Sequence, residues 1–446
     1  MAKPIDIRFL YEHKAREMEA IALLAAELEK RGATTEIRPC NGMGKKRVAP
    51  ASVLVVPYCR TNRDLKHYGR FGKGSKAVVS LQWEQIYTYE MDEKKPCPLD
   101  PAEEAVKAIH FCWGEHTRRR EIADGISPEL LKLTGPLQLD LCRPQFRGLY
   151  LSKEAVAQSC GLDSSKKWLL ICSNFSGELE RSGGDAKAYS DGIAGERAQC
   201  SSESKKIIIP WVVSYIERHP EWTVVYRPHP FEKSDQGLME LSRHNPNFVI
   251  LDSYSARQWM AISDKQLFWI STSAVEAHAM GKDYAIVRPT CIPRSIDMTV
   301  YENCNWIASE DQFIAYMNSS CRWNEWSLDD DVVNRYYQTE SPAFLRAADV
   351  LQNILIQGVV TSINLEELTA QTALKEKFAH SFLFDIYERF FSFLHDSGMF
   401  PLLSRVRSIK QKADDAHMRC RDQISDKEFS ELKQKIREDI LPLFQK

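Results

Sequence analysis

Short apolar runs alternate with helical stretches along most of this chain, and they do so in two separate sets. IDIRFLYE, TTEIRP, SVLVVPY, KAVVSLQW and AIHFCWG read as strands of the first set. Between the first two lies KAREMEAIALLAAELEKRG, with Met18, Ile21, Leu24 and Leu28 on one helical face and Gly32 as its stop. NRDLKHYGRF and EHTRRREIAD read as further helices, and LLKLTGPLQLD closes the set. Short strands that are apolar throughout are buried on both faces, and alternation with helices supplies the cover for a parallel sheet. A second set begins at KKWLLICSNF and continues through the helix KIIIPWVVSYIERHP and the strand WTVVYRPHP. NFVILD, QLFWISTS and DYAIVRP complete its strands, with helices at GLMELSRHN, SARQWMAISD and AVEAHAMGK.

The expected organisation is therefore α/β, with two Rossmann-like domains facing a cleft and a helical C-terminal extension. The first spans 1–150 and the second 151–340. Residues 341–446 are helical. Residues 176–205 are rich in Gly, Ser and charge, which predicts a long loop, either a lid or a plain surface insertion.

Composition narrows the function. Net charge is −2, from 59 basic and 61 acidic residues, which speaks against a nucleic-acid partner. Twelve cysteines stand singly with no C-x-x-C pair, so they read as small buried hydrophobes in a reducing cytoplasm. The N-terminus lacks a basic-then-apolar signal, and no run approaches the ~20 apolar residues of a membrane span. A cytoplasmic protein follows. FAHSFLFDIYERFFSFLHDSGMFPLLSRVRSIKQK, near the C-terminus, has two readings. It is a helical cap packed on the domains, which is preferred, or a peripheral contact with the inner face of the cytoplasmic membrane.

In open α/β sheets the ligand lies beyond the carboxyl ends of the strands, and the polar residues there form a pattern. In YRPHP, Pro228 and Pro230 stiffen the backbone and project Arg227 and His229. The planar fork of Arg227 suits a phosphate or carboxylate, and His229 can donate to a phosphoryl oxygen. In FWISTSAVEAHAMGK, Ser271, Thr272 and Ser273 end a strand and start a helix, whose tip attracts anions. Glu276 either closes a capping box with Ser273 or accepts from ribose hydroxyls, and Gly281 stops that helix. In the first set, LQWEQIY puts Glu84 just past a strand, as a cleft carboxylate or equally a solvated loop acid, and TGPLQLDLCRP puts Asp140 at a domain edge, as a cleft carboxylate or equally a helix N-cap. Asp6, Glu12 and His13 are weaker candidates. Lys14, Arg16, Arg60, Arg63, Lys66 and Arg70 read as a solvated basic rim. No D-x-D motif stands at a strand end, and SLDDDVV reads as a helix start, so the chemistry is expected to need neither metal nor cofactor.

HFCWGEHTRRREI, LTGPLQLDLCRP, LLICSNF, YRPHP and STSAVEAHAMGK, in this order, resemble the surface carbohydrate biosynthesis family, which includes the retaining β-Kdo transferases of capsule and O-antigen assembly. The resemblance covers about residues 75–290. It implies the glycosyltransferase B fold, a CMP-Kdo donor and a glycan or lipid-linked glycan acceptor. It also implies roles. Asp140 is the nucleophile of a double displacement and Glu84 the acid/base. Arg227 and His229 hold the donor phosphate. Ser271, Thr272, Ser273 and Glu276 hold the nucleotide, with Gln138 and Asn174 also touching substrate. The same motifs echo glycerophosphate and sialic acid polymerases. Another CMP- or CDP-activated donor therefore stays open, as does a non-catalytic scaffold of polysaccharide export.

Overall fold

The computed structural model describes residues 5–40, 49–175, 193–229, 232, 235–320, 325–370 and 424–444. Pro230, residues 176–192 and the aromatic-basic stretch 378–412 lie outside the described residues. Two sheets carry the strands. The first contains β1 (Ile5–Tyr11), β2 (Thr35–Pro39), β3 (Ala51–Val56), β4 (Ala77–Ser80), β5 (Ile109–Cys112) and β6 (Leu131–Leu133), in the order β2-β1-β3-β4-β5-β6. The second contains β7 (Lys167–Cys172), β8 (Trp222–Arg227), β9 (Phe248–Ile250), β10 (Lys265–Phe268) and β11 (Tyr284–Ile286), in the order β11-β10-β7-β8-β9. Every pairing within them is parallel.

The chain divides into two compact units. One takes the described residues of Met1–Gln85, Leu99–Leu141 and Tyr337–Lys446, the other those of Ile86–Pro98 and Cys142–Tyr336. In the first unit, helix Lys14–Lys30 packs against helices Ala343–Gln357 and Asp426–Lys435, and helix Leu365–Ala370 packs on helix Asn62–Gly69. Ion pairs Arg31–Asp349 and Lys433–Glu29 line those contacts, 2.6 Å each. Arg8, fully buried in β1, is tolerated because its guanidinium donates to Glu36 and to the carbonyls of Phe71 and Ala49.

In the second unit, helix Ile193–Arg218 begins well inside the stretch expected to be loop. Its buried stripe runs through Cys200, Ser204, Ile208, Val212 and Tyr215, a spacing of three to four residues. The first turns present a cysteine and serines rather than large apolar side chains, which is why they read as loop. Among the described cysteines, Cys291 is exposed and Cys160 half-buried, and the rest are buried as expected. No described helix is long and apolar enough to cross a membrane.

Gly135 shows how tightly the end of the first sheet is closed. Its φ is +80°, and an added Cβ would lie 2.4 Å from Arg346 Nη2 and 2.5 Å from the Gln338 carbonyl. Gly135→Ala is expected to destabilise the first unit by about 2–4 kcal/mol. Chemical denaturation checks this, and an unchanged midpoint contradicts it.

Candidate functional site

The second sheet reverses its strand order between β7 and β10, the position beyond whose carboxyl ends open α/β sheets bind their ligands. Asn174, two residues past β7 and 7% exposed, donates its amide to the Ile270 carbonyl, two residues past β10. The turn Ser271–Ser273 follows directly. Its backbone is held by the buried Tyr301, whose hydroxyl accepts from Ser271 N at 2.7 Å and donates to Ser271 O at 2.8 Å.

Arg227 ends β8, next to β7, and donates to the Tyr254 carbonyl at 3.2 Å. Tyr254 is partly exposed, with φ +63°. His229 follows two residues on. Its N–H donates to Glu232 Oε2 at 3.3 Å, and its carbonyl accepts from Glu232 N at 2.8 Å. Glu232, with a side chain only 4% exposed, also accepts from Tyr226 Oη at 2.6 Å, from Lys205 Nζ at 3.0 Å and from Ser173 Oγ. This carboxylate fastens the loop that carries His229 to β7, β8 and helix Ile193–Arg218. Burial lifts the Tyr226 hydroxyl far above its ordinary range, and the charge of Glu232 adds to it, so it stays a proton donor. At the end of β7, burial pushes the Cys172 thiol up to about 12, with Arg227 lowering and Glu276 raising it. All three groups therefore share one electrostatic neighbourhood.

Two expectations for the helix after this turn change. Glu276 closes no capping box with Ser273. It pairs instead with the buried Arg257 of helix Ala256–Ile262, Nη1 to Oε1 2.7 Å. The N–H groups at the tip of helix Ser273–Ala279 are mostly occupied. Ser273 N donates to Ser271 Oγ, Ala274 N to Ser271 O and Val275 N to Thr272 O. Of the side chains at this turn, Thr272 is exposed and Ser271 and Ser273 are half-buried.

In the first unit, Glu84 stands past β4 with its side chain 58% exposed. It accepts from Arg16 Nη1 at 2.8 Å and from Arg60 Nη2 at 3.4 Å. Desolvation by its neighbours raises its pKa, but Arg16, then Arg60, outweigh that and hold the carboxyl below its usual range. Arg16 also donates to Glu12 and to the fully buried Glu17. Arg16 and Arg60 are thus partners of acids and not a solvated rim. A buried amide scaffold sets the backbone under Glu84. Gln85 donates to the carbonyls of Gln82 and Phe111 and accepts from Trp113 N, while Gln82, at φ +49°, donates to Glu121 at 2.7 Å. Asp140, 2% exposed at the end of helix Leu137–Asp140, accepts from Phe344 N at 2.7 Å. It caps helix Ala343–Gln357, whose own N-cap, Pro342, has no capping side chain. Gln138 is half-buried two residues before it.

Glu232, Lys205, Tyr226 and Tyr301 were not singled out by motif reasoning, and Arg16 was read only as part of a solvated rim. Only Glu232 carried a signal, an acid two residues past a proline-locked strand end.

No family model matches the chain, and no curated protein matches it. Solved structures do. The wall teichoic acid polymerase TagF aligns with a TM-score of 0.51 at 10% identity, over 80% of this chain and 90% of that one. UDP-GlcNAc 2-epimerase from Neisseria meningitidis, bound to UDP-GlcNAc, gives 0.47 at 13% identity over 80% of this chain and 100% of that one. HepE from Anabaena, in complex with UDP and glucose, gives 0.37 at 13% identity over 84% and 100%. The likeness to TagF, together with the two parallel sheets and the helices after Tyr337, makes the fold that of a glycosyltransferase B type protein.

Burial, then the charge of Asp100, pushes the Glu121 carboxyl up to about 8. From an unfolded value near 4 up to 8, the folded protein keeps a proton that the unfolded chain has lost. The stability this group contributes is therefore complete at low pH and is lost as pH rises through 8. Glu121→Gln keeps an acceptor for Gln82. It is expected to melt with wild type at pH 5 and at least ~2 °C above it at pH 8. Calorimetry at both pH values checks this, and an offset equal at the two contradicts it.

Proposed function

We propose that the protein is a glycosyltransferase of bacterial surface polysaccharide assembly, transferring Kdo or a related ulosonic acid from its CMP donor to a glycan acceptor. The carrying observation is the convergence of Arg227, His229, Asn174 and the Ser271–Ser273 turn at the carboxyl ends of β8, β7 and β10. A guanidinium fork, an imidazole, an amide and hydroxyls are a donor set for the phosphodiester and carboxylate of such a sugar nucleotide. Donors fixed in advance stabilise charge growing on the departing phosphate. The likeness to TagF, a wall teichoic acid polymerase, supports surface polymer as the product class.

Glu84, held ionised by Arg16 and Arg60, suits the role of a base toward an acceptor hydroxyl better than that of an acid. The burial of Asp140 favours a second reading, transfer of a polyol phosphate from a CDP donor, which needs no carboxylate nucleophile.

Two experiments test these readings. CMP or CDP at a hundred times its Kd is expected to stabilise the protein by about 2.7 kcal/mol in a thermal-shift assay, with UDP and GDP weaker and Arg227→Ala abolishing the effect. No shift with either cytidine nucleotide sinks both. Asp140→Asn retains an oxygen for Phe344 N and removes the charge. Double displacement predicts a loss in CMP release from CMP-Kdo of at least ~10³-fold with little change in Tm; unchanged CMP release removes Asp140 as the nucleophile, and release of CMP from a CDP-polyol but not from CMP-Kdo upholds the second reading. Activity is expected to survive EDTA.

A further inference from the structure

Trp306 is the only exposed tryptophan among the described residues, 41% accessible. A single apolar side chain on a surface needs no explanation, but this one is mounted. The backbone on either side is fixed, with Ile307 N donating to Ile286 O and Arg288 N to Ile307 O, both at 2.8 Å, so the indole stands beside the edge strand β11. Behind it lies Arg288, 3% exposed, with its guanidinium 5.2 Å from the Trp306 ring centroid and 4.3 Å from that of Tyr301. Asp297 neutralises the guanidinium at 2.7 Å, and Arg288 Nε, buried, has no hydrogen-bond partner. A cation over an aromatic face immobilises the ring. Two exposed amides, Asn303 at φ +60° and Asn305, flank the indole, and their side chains make no hydrogen bond to the described residues.

From this geometry we infer that Trp306, Asn303 and Asn305 form a pyranose-binding subsite. A pyranose presents an apolar C–H face, which an indole can cover, and hydroxyls at its rim, which carboxamides can both donate to and accept from. A nucleotide fits less well, because the nearby cations are spoken for, Arg288 by Asp297 and Arg335 by Glu302. Tyr301, which lies on Arg288, also holds the backbone of Ser271, so the subsite is tied to the turn at β10 through one side chain. This deepens the proposed function by naming the acceptor class, and it rests on that reading only for the word acceptor.

The test needs no turnover. Saturation-transfer NMR is run on the full chain with methyl glycosides of glucose, galactose and N-acetylglucosamine and with free Kdo, at millimolar concentration, and with cytidine as the comparison. At least one pyranoside is expected to receive transfer, strongest at the C–H protons of one ring face. Trp306→Ala should weaken that binding about tenfold and Trp306→Phe should largely keep it. Matching melting curves for the two variants separate binding from folding. No transfer to any pyranoside, equal transfer in Trp306→Ala, or loss of transfer to cytidine alone overturns the inference. A pyranoside signal that depends on Trp306 while cytidine nucleotides fail to stabilise the protein upholds the subsite and removes the proposed donor class.

Discussion

The pairing of β7 with strands on both sides is the constraint on which the candidate site depends. Cys172 is in register with Arg227 of β8 and with Phe268 of β10, so three neighbouring strands run out on one line. Arg227, His229, Asn174 and the Ser271–Ser273 turn all lie within a few residues of that line. A slip of one residue in either pairing would turn alternate side chains to the opposite face and scatter Arg227, Asn174 and the Ser271 turn. Both faces are buried along β7 from Trp168 to Cys172 and along β8 from Trp222 to Tyr226.

Charge is organised by the same economy in both units. Buried ions are costly unless paired, and removing one partner from a buried pair typically costs about 3–5 kcal/mol. Glu232 meets a lysine, a tyrosine, a serine and a backbone N–H, and Glu17 meets Arg16 and the Glu12 N–H. In each case a fully engaged carboxylate lies beside a more accessible group, His229 in one and Glu84 in the other. The buried carboxylate sets the geometry of the segment that carries the more accessible group.

Much of this was legible in the sequence because strand ends are written in local code. The runs ending in YRPHP and STSAVE gave the position and the residue types of the second-unit cluster. Helix Ile193–Arg218 was legible only from Lys206 onward, since Cys200 and Ser204 of its earlier turns face Thr290 and the Cys291 carbonyl with small polar side chains rather than large apolar ones. Partnerships across long separations were not legible. Asp140 with Phe344, Glu276 with Arg257 and Ser271 with Tyr301 join residues that no local pattern links. The same blindness made Arg16 and Arg60 look like surface charge.

The division of the chain has a consequence for its biosynthesis. The second unit is assembled from residues 86–98 and 142–336, all translated before the helices that complete the first. Helix Lys14–Lys30 is translated before the whole of the second unit, yet the helices that cover it begin at Ala343 and at Asp426. The apolar flank of that helix therefore stays uncovered until residues 343–435 have been made.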